Sequence, residues 1–319
     1  MILQIKKKKL LILVISLFAA ILLVLVLALI PPKSHHGSAP SDIAPPSVAT
    51  SHQGNGIKLS WKAVPQAEMY RVYRSDSEKG EKKELGTTGQ CGYLDKKVAS
   101  GKKMYYWVRA ENQKRQSELS ESVNDTLYRV YIETGHGIDA AGKWDPGASW
   151  NGLEEAKLMI PIARATAKHL RENGVYVYTD AFTENETNRD YALDFLDTHD
   201  VSAFVNIHCD SVDAGSGTMA LYYTDEQKKL GECLNKCVHE YVELPDRGLV
   251  RRSDLETLVN EKVHCPSCLY ETGCISKDTE TIETKYDEYG RGLAKGVCTF
   301  LGIEFNEQEE SNSKEEEVN

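Results

Sequence analysis

The stretch AFVNIHCD, residues 203–210, is the part of the sequence on which the fold prediction turns. Ala203–His208 is a short and mainly apolar run, which predicts a strand that ends on an imidazole. On both sides of it, from Leu127 onward, predicted strands alternate with predicted helices. This alternation indicates a sheet whose strands are connected by crossover helices.

The predicted elements of this region fit one α/β domain. The strands are expected at residues 127–132, 175–179, 203–208, 218–223 and 267–271, and the helices at 153–172, 189–196, 226–244 and 281–301. We therefore expect residues 127–303 to form an α/β fold with a mostly parallel sheet flanked by helices.

Three polar side chains follow the ends of these strands. His136 lies between two glycines just past the first strand, His208 ends the third, and Glu271 ends the apolar segment before Gly273. Ligands of open α/β sheets collect outside the carboxyl ends of the strands, so we expect these three at one edge. Taken singly, either histidine could instead be a loop residue satisfied by its neighbours.

Glu155 is a fourth candidate, because it lies on the apolar stripe of the helix predicted at 153–172. An unpaired carboxylate at the edge of the core is costly, so Glu155 needs a partner. Glu154 stands three residues after Asn151, which predicts a capping box at the helix start. Pro161 is expected to kink the helix or to delay its regular start.

Two histidines and one glutamate with an open coordination position are typical of a catalytic zinc site. We therefore expect His136, Glu155 and His208 to bind one Zn²⁺ ion. A further carboxylate at the same edge, Glu271, fits the general acid/base of a metal-assisted hydrolysis.

The order of these residues resembles the zinc-dependent N-acetylmuramoyl-L-alanine amidase family, over about residues 128–302. The matching pieces are Gly135-His136-Gly137, Asp145-Pro146-Gly147-Ala148, Gly152-Leu153-x-Glu155, Asn206-Ile207-His208-x-Asp210-Ser211 and Pro266-x-x-Leu269-Tyr270-Glu271-x-Gly273. The resemblance implies that peptidoglycan is the substrate and that the bond cut joins the glycan to its stem peptide. It also implies His136, Glu155 and His208 as zinc ligands, with Glu271 as the catalytic acid/base.

Two other functions remain open at this point. A zinc peptidase would cut within the stem peptide instead of at the glycan. A non-catalytic cell-wall-binding protein would recognise wall peptide without cutting it, although the presence of all four site residues argues against this class.

The eight cysteines allow two further arrangements. Cys233, Cys237, Cys265 and Cys268 could form a second zinc site, or the last two could form a disulfide outside the cytoplasm. The spacing of Cys233 and Cys237 also suits ordinary packing on one helix face.

Residues 45–124 show short alternating segments separated by turn residues, which predicts a small all-β sandwich. The order Leu59-x-Trp61, then Tyr70-x-Val72, then Tyr106-x-Val108-x-Ala110 resembles a fibronectin type III domain. The resemblance implies that these residues are core and that the unit is a spacer or a binding module for a wall or protein partner.

The N-terminus predicts a membrane anchor. Residues 1–9 are a basic cytoplasmic segment, residues 10–30 an uncharged helix of 21 residues, and residues 31–44 a linker. At ~1.5 Å per residue the helix is about as long as a bilayer core is thick, and Lys6–Lys9 predict a cytoplasmic N-terminus. Both folded domains would then lie outside the cytoplasm. A cleaved signal peptide is the alternative, but its apolar core is usually shorter.

The net charge of −10 excludes one class of partner. No basic stripe is present to displace counterions from phosphates, so we expect no nucleic-acid binding. Residues 304–319 are predicted to be a disordered acidic tail.

Overall fold

The computed structural model describes residues 43–139, 141–181 and 189–307. The predicted membrane helix at 10–30 and the end of the acidic tail lie outside these ranges. None of the helices within them combines the length and the apolar character that a bilayer crossing needs.

The first part of the described chain forms two antiparallel sheets. One sheet has the order β1-β2-β5 and the other β4-β3-β6-β7. Their strands are β1 (Val48–Gln53), β2 (Gly56–Trp61), β3 (Met69–Ser75), β4 (Lys83–Thr88), β5 (Gly92–Asp95), β6 (Lys103–Glu111) and β7 (Val123–Thr126). The rings of Trp61 and Tyr70, one from each sheet, lie 5.2 Å apart between centroids, so the sheets pack face to face. The predicted all-β sandwich is thus the arrangement observed, with these two side chains buried.

The second part is built on a mixed sheet of six described strands with the order β13-β8-β14-β17-β15-β16. Its strands are β8 (Arg129–Thr134), β13 (Tyr176–Thr179), β14 (Ala203–Asp210), β15 (Thr218–Tyr222), β16 (Asp246–Arg251) and β17 (Ser267–Cys274). All neighbours are parallel except β15 and β17, which are antiparallel. The predicted α/β fold is confirmed.

Short hairpins and helices complete this part. The strands of the hairpins are β9 (Gly137–Ile138), β10 (Trp144–Asp145), β11 (Ser149–Trp150) and β12 (Leu153–Glu154). The helices are α1 (Glu155–Glu172), α2 (Arg189–Thr198), α3 (Asp225–Val238), α4 (Glu256–Val259), α5 (Thr279–Thr284) and α6 (Tyr286–Leu301). Alternate residues of the strands face opposite layers: Val205 packs towards α1, α3 and α6, whereas Phe204 packs against α2.

Three sequence predictions were wrong in detail. The helix predicted at 226–244 ends at Val238. Val242 lies beyond the end of the helix but is buried, and its apolar side chain is the reason that the sequence predicts a longer helix. The helix predicted at 281–301 is divided into α5 and α6. Strand β16 was missed because it is an edge strand with charged and exposed residues, as edge strands commonly are.

The start of α1 also differs from the prediction. Asn151 is not a helix cap but part of a hairpin turn, where its φ is 48°, and the helix begins after Glu154. Glu154 makes no side-chain cap; its carboxylate instead accepts a hydrogen bond from the indole of Trp144. Helix α1 continues through Pro161, which is exposed.

Glycines on α6 let the three helices on one face approach closely. A Cβ on Gly290 would lie 2.4 Å from the Cβ of Ala165 on α1, and one on Gly296 would lie 2.7 Å from the Cα of Leu234 on α3. Real Cβ atoms do not reach such distances, so the backbones of α1, α3 and α6 are in direct contact through these positions.

We predict that Gly296→Ala destabilises the protein. In an isolated helix, alanine is more favourable than glycine by about 1 kcal/mol. A decrease in the free energy of unfolding on Gly296→Ala can therefore come only from the clash with α3. Overpacking of this kind costs about 1–3 kcal/mol and lowers Tm in thermal unfolding followed by circular dichroism. Gly215→Ala is the control, because its Cβ would meet nothing closer than 3.8 Å. A Tm for Gly296→Ala at or above that of the unsubstituted chain would contradict this packing.

Candidate metal centre

The strand register places the candidate side chains on one edge of the sheet. In the ladder between β14 and β17, His208 and Glu271 are direct neighbours. On the other side of β14, Ile207 pairs with Thr134, the last residue of β8, so that His136 follows directly at the same edge. The carboxyl ends of three adjacent parallel strands thus converge, as the sequence predicted.

The backbone around His136 is unusual. Its φ is 69°, in the left-handed region that non-glycine residues seldom adopt and that typically costs about 1–3 kcal/mol. Gly135 before it packs against the ring of His208, where a Cβ would lie 2.2 Å from the imidazole. Only glycine therefore fits at position 135, and the two imidazoles are brought to 5.0 Å between centroids.

Glu155 is the centre of the cluster. It is the first residue of α1 and is 2% exposed. Its Oε1 accepts hydrogen bonds from the backbone N–H of Cys209 at 3.0 Å and from Nδ1 of His208 at 2.8 Å. Its Oε2 accepts from the backbone N–H of Ala148 at 2.8 Å and lies 3.2 Å from Nε2 of His136. Each carboxylate oxygen of Glu155 therefore has two polar partners.

These contacts shift the pKa values in opposite directions. Burial alone would raise the pKa of Glu155, but hydrogen bonds from His136 and His208 outweigh it and hold the pKa well below its usual range. Burial alone would lower the pKa of His136, but hydrogen bonds to Glu155 and Asp145 raise it to about 9. The carboxylate at the centre is thus kept ionised, as a metal ligand must be.

The donor set fits a divalent zinc ion. Ligand atoms of His136, Glu155 and His208 lie within 4.8 Å of one another. Tetrahedral zinc with bonds of about 2.0–2.2 Å holds its ligands roughly 3.3–3.6 Å apart, so small shifts of the side chains suffice. Over residues 43–139, 141–181 and 189–307, this is the one group of three or more His, Cys, Asp or Glu found with that spacing.

Asp145 is a site residue that sequence reasoning named only as part of a motif. Its Oδ2 accepts a hydrogen bond from Nδ1 of His136 at 2.9 Å, which leaves Nε2 to face Glu155 and the proposed ion. The hydrogen bond from His136 lowers the pKa of Asp145, so the carboxylate remains charged. Asp145 acts through His136 and is therefore a positioning residue.

Glu271 lies beside the cluster and has a different environment. Its Oε2 is buried and has no hydrogen-bond partner among the described residues. Burial, reinforced by the negative charges of Glu155 and Asp210, raises the pKa of Glu271 to about 8. A carboxyl group with a pKa close to neutral can both accept and return a proton. A cation bound beside it would favour the ionised form.

A cavity of about 440 Å³ opens on this edge. Besides the two histidines and Glu271, residues from β8, β14, β15, β17 and the segment around α4 line it: Glu133, Asn206, Leu221, Leu269, Arg252, Leu255, Glu256 and Thr257. Asn206 donates a hydrogen bond to Glu133, and both are almost fully buried. Sequence analysis did not identify this pair. The available signal was one polar residue inside each of two apolar strands, Glu133 in β8 and Asn206 in β14.

The cysteine alternatives are not observed. All eight cysteines lie in the described ranges and are free thiols. Cys268 is buried on β17 in the core that α1, α3 and α6 cover. The second zinc site and the disulfide considered from the sequence are therefore absent from these described residues.

A sequence profile of the family described as N-acetylmuramoyl-L-alanine amidase (Amidase_3) matches residues 130–302. The chain belongs to the N-acetylmuramoyl-L-alanine amidase family. It is an amide hydrolase of that type, with the His-Glu-His cluster of the structure inside the matched region.

Individual relatives are distant. A sporulation-specific N-acetylmuramoyl-L-alanine amidase of Bacillus subtilis is 24% identical over 192 residues, which are 59% of this chain and 72% of the relative. The amidase AmiC2 of Nostoc punctiforme is 25% identical, with a TM-score of 0.48, over 55% of this chain and 97% of that one. An amidase structure from Clostridium difficile 630 is 22% identical, with a TM-score of 0.49, over 56% and 98%.

We predict that Asp145→Asn weakens zinc binding. The amide no longer supplies the charged acceptor that orients the ring of His136, and losses of such partners typically cost about 10- to 100-fold in affinity. Competition with a fluorescent zinc chelator measures the change in the full chain.

The control for this measurement is Asp213→Asn, an exposed carboxylate in the loop after β14. Its affinity for zinc should equal that of the unsubstituted chain. Equal affinities for all three proteins would show that Asp145 does not position a ligand.

Proposed function

We propose that this chain is a membrane-anchored, zinc-dependent amidase that hydrolyses the bond between the lactyl group of muramic acid and L-alanine in peptidoglycan. The observation that carries the proposal is the convergence of His136 and His208 on the buried carboxylate of Glu155. Glu271 lies beside His208, on the adjacent strand at the same edge of the sheet. Family membership supplies the substrate class.

Each residue of the site has a separate role in the proposed reaction. His136, Glu155 and His208 would hold zinc, which when bound supplies Lewis acidity toward the attacking water and the amide carbonyl. Glu271 accepts the proton of that water and returns it to the departing nitrogen of L-alanine. Asp145 keeps Nδ1 of His136 engaged throughout. The cavity beside them leaves room for the groups that flank the amide.

We predict that Glu271→Gln lowers kcat on purified peptidoglycan by about 10²- to 10⁴-fold, because the amide can neither accept nor return the proton. Release of soluble muropeptides measures the rate, and metal analysis of the same preparation shows whether zinc is retained. Glu280→Gln on α5, an exposed position, is the control and should match the unsubstituted enzyme. Full activity of Glu271→Gln with zinc bound would refute the role of Glu271.

The products distinguish the proposal from its rivals. An amidase releases stem peptides with a free L-alanine N-terminus and leaves the sugar chain intact. A zinc peptidase leaves L-alanine on muramic acid, and a wall-binding protein yields neither product. Mass spectrometry of a digest made by the full chain is expected to show the first pattern. Removal of metal with a chelator should abolish it, and added zinc should restore it.

The N-terminus and the sandwich complete the proposal. Residues 10–30 anchor the chain in the membrane with the N-terminus in the cytoplasm, and both folded parts work outside it. The sandwich, with its resemblance to fibronectin type III domains, acts as a spacer or binds a wall or protein partner. Contacts such as those of Arg129, which donates hydrogen bonds to the carbonyls of Val98 and Asn55, tie the sandwich to the start of β8.

We predict that the full chain fractionates with membranes and resists carbonate extraction, since an uncleaved apolar helix holds it there. A variant without residues 1–31 should move to the soluble fraction. Peptide mapping of the membrane form should recover the native N-terminus. A native chain that begins after residue 31 would instead indicate a cleaved signal peptide.

A further inference from the structure

Arg252 lies in the cavity beside the metal centre and differs in charge from most of the cavity wall. Five acidic side chains line this cavity: Glu133, Asp139, Asp145, Glu256 and Glu271. Apart from the imidazoles of His136 and His208, the guanidinium of Arg252 is the one basic group among the described residues of the wall. Because like charges repel each other, an anionic substrate group that enters the cavity is favoured near the bound metal or near Arg252.

The backbone holds Arg252 at the edge of the sheet next to the cavity. Its N–H donates to the carbonyl of Tyr222 at 2.7 Å, directly after the last pair of the ladder between β15 and β16. Arg251, the residue before it, has a different environment. Its guanidinium lies over the ring of Tyr223, 4.6 Å from the centroid, and it is not part of the cavity wall. Of these two adjacent arginines, Arg252 is thus the one that a ligand in the cavity can reach.

The guanidinium of Arg252 is held in one orientation and still has a donor to spare. Its Nε and Nη2 donate to the two carboxylate oxygens of Asp254 at 2.8 and 2.6 Å, a bidentate arrangement that sets the plane of the group. Within residues 43–139, 141–181 and 189–307, its Nη1 has no hydrogen-bond partner. The side chain is 40% exposed and Nη1 is accessible, so its N–H groups are open to a ligand. The hydrogen bonds to Asp254 raise the pKa of Arg252, and the negative charges of Glu271 and Asp210 raise it further.

An apolar surface separates Arg252 from the proposed acid/base Glu271. Leu269 stands two residues before Glu271 on β17, and its cross-strand partner Leu221 directly precedes Tyr222 on β15. Both leucines belong to the cavity wall. A sphere with the volume of the cavity, about 440 Å³, is about 9 Å across, which sets the scale of the separation.

The stem peptide of the proposed substrate carries a carboxylate at a matching distance. L-alanine, on the nitrogen side of the cut amide, is followed by a D-glutamate that is linked through its side-chain carboxyl, so its α-carboxylate is free unless it is amidated. Two extended residues span about 7 Å, so this carboxylate and the scissile carbonyl fit together within the cavity. The fork of a guanidinium matches the plane of a carboxylate, and charge-assisted hydrogen bonds are stronger than neutral ones.

We propose that Arg252 is a specificity-determining residue that binds the free α-carboxylate of the second stem-peptide residue. The chain then prefers stem peptides with D-isoglutamate over those with D-isoglutamine, its neutral amide. The inference rests on the proposed function, because it takes the bond between muramic acid and L-alanine as the one cut. It assigns Arg252 no part in the chemical step.

The test compares two substrates that differ in one functional group. Both are short glycan strands with the same stem peptide, whose second residue is D-isoglutamate in one and D-isoglutamine in the other. For the unsubstituted chain we expect kcat/KM to be about 5- to 20-fold higher on the carboxylate substrate, as one charge-assisted hydrogen bond at a half-exposed position implies. Arg252→Gln should remove this preference by lowering kcat/KM on the carboxylate substrate, with a change within about 2-fold on the other. Arg252→Lys, which keeps the charge, should retain part of the preference.

Arg251→Gln is the matched control, because it removes the same charge one residue away and outside the cavity wall. It should leave both rates and the preference unchanged. Equal rates of the unsubstituted chain on the two substrates would overturn the inference. So would an equal loss on both substrates with Arg252→Gln, since the side chain would then be structural. The same loss of preference with Arg251→Gln would make the effect one of overall charge and overturn the inference as well.

A binding measurement distinguishes a failure of this inference from a failure of the proposed function. Free stem peptides, which contain no scissile amide, are titrated calorimetrically into the full chain. We expect the carboxylate peptide to bind more tightly than the carboxamide peptide, and Arg252→Gln to remove the difference. If this difference is seen but neither glycan substrate is cleaved, the proposed reaction fails and the carboxylate site stands. Cleavage of both substrates at the muramoyl amide, with no difference in binding or in kcat/KM, refutes the carboxylate site alone.

Discussion

The ion-paired hydrogen bonds of Glu155 are the interaction on which the rest of the site depends. A carboxylate that is 2% exposed stays ionised because two imidazoles and two backbone N–H groups point at it. These four partners come from the strand end at β14, the turn after β8 and the hairpin before α1. Removing the charge of Glu155 would leave two imidazoles without their shared acceptor, so the site assembles around this single side chain.

The same carboxylate explains why the loop from His136 to Glu155 has a fixed path. Gly147 has a φ of 65°, and a Cβ there would lie 2.5 Å from both Oε2 of Glu155 and the ring of His136. Asp145 and Ala148 on either side hold His136 and Glu155 through hydrogen bonds. The segment from His136 to Glu155 therefore holds the side chains at both of its ends in place.

The positions of the site residues on strands and helices were predictable from periodicity. An apolar run that ends on His208 or Glu271 must deliver that side chain to the carboxyl edge, and parallel neighbours share one edge. The stripe of α1 likewise pointed Glu155 inward. The contacts of each residue could not be predicted in the same way. The contact of Asp145 with His136 depends on left-handed φ values in the loop between them. Asn151 is a turn residue, although its sequence position is that of a helix cap. Such local backbone geometry leaves no periodic signal.

The measurement that tests the central claim most directly is X-ray absorption spectroscopy at the zinc edge on the purified full chain. The account predicts one zinc per chain, bound by two imidazole nitrogens and one carboxylate, with the remaining ligand a light atom and no sulfur. Bonds of about 2.0–2.2 Å would agree with it. Zinc–sulfur scattering at about 2.3 Å would contradict it. So would imidazole scattering that persists unchanged in His136→Ala and His208→Ala.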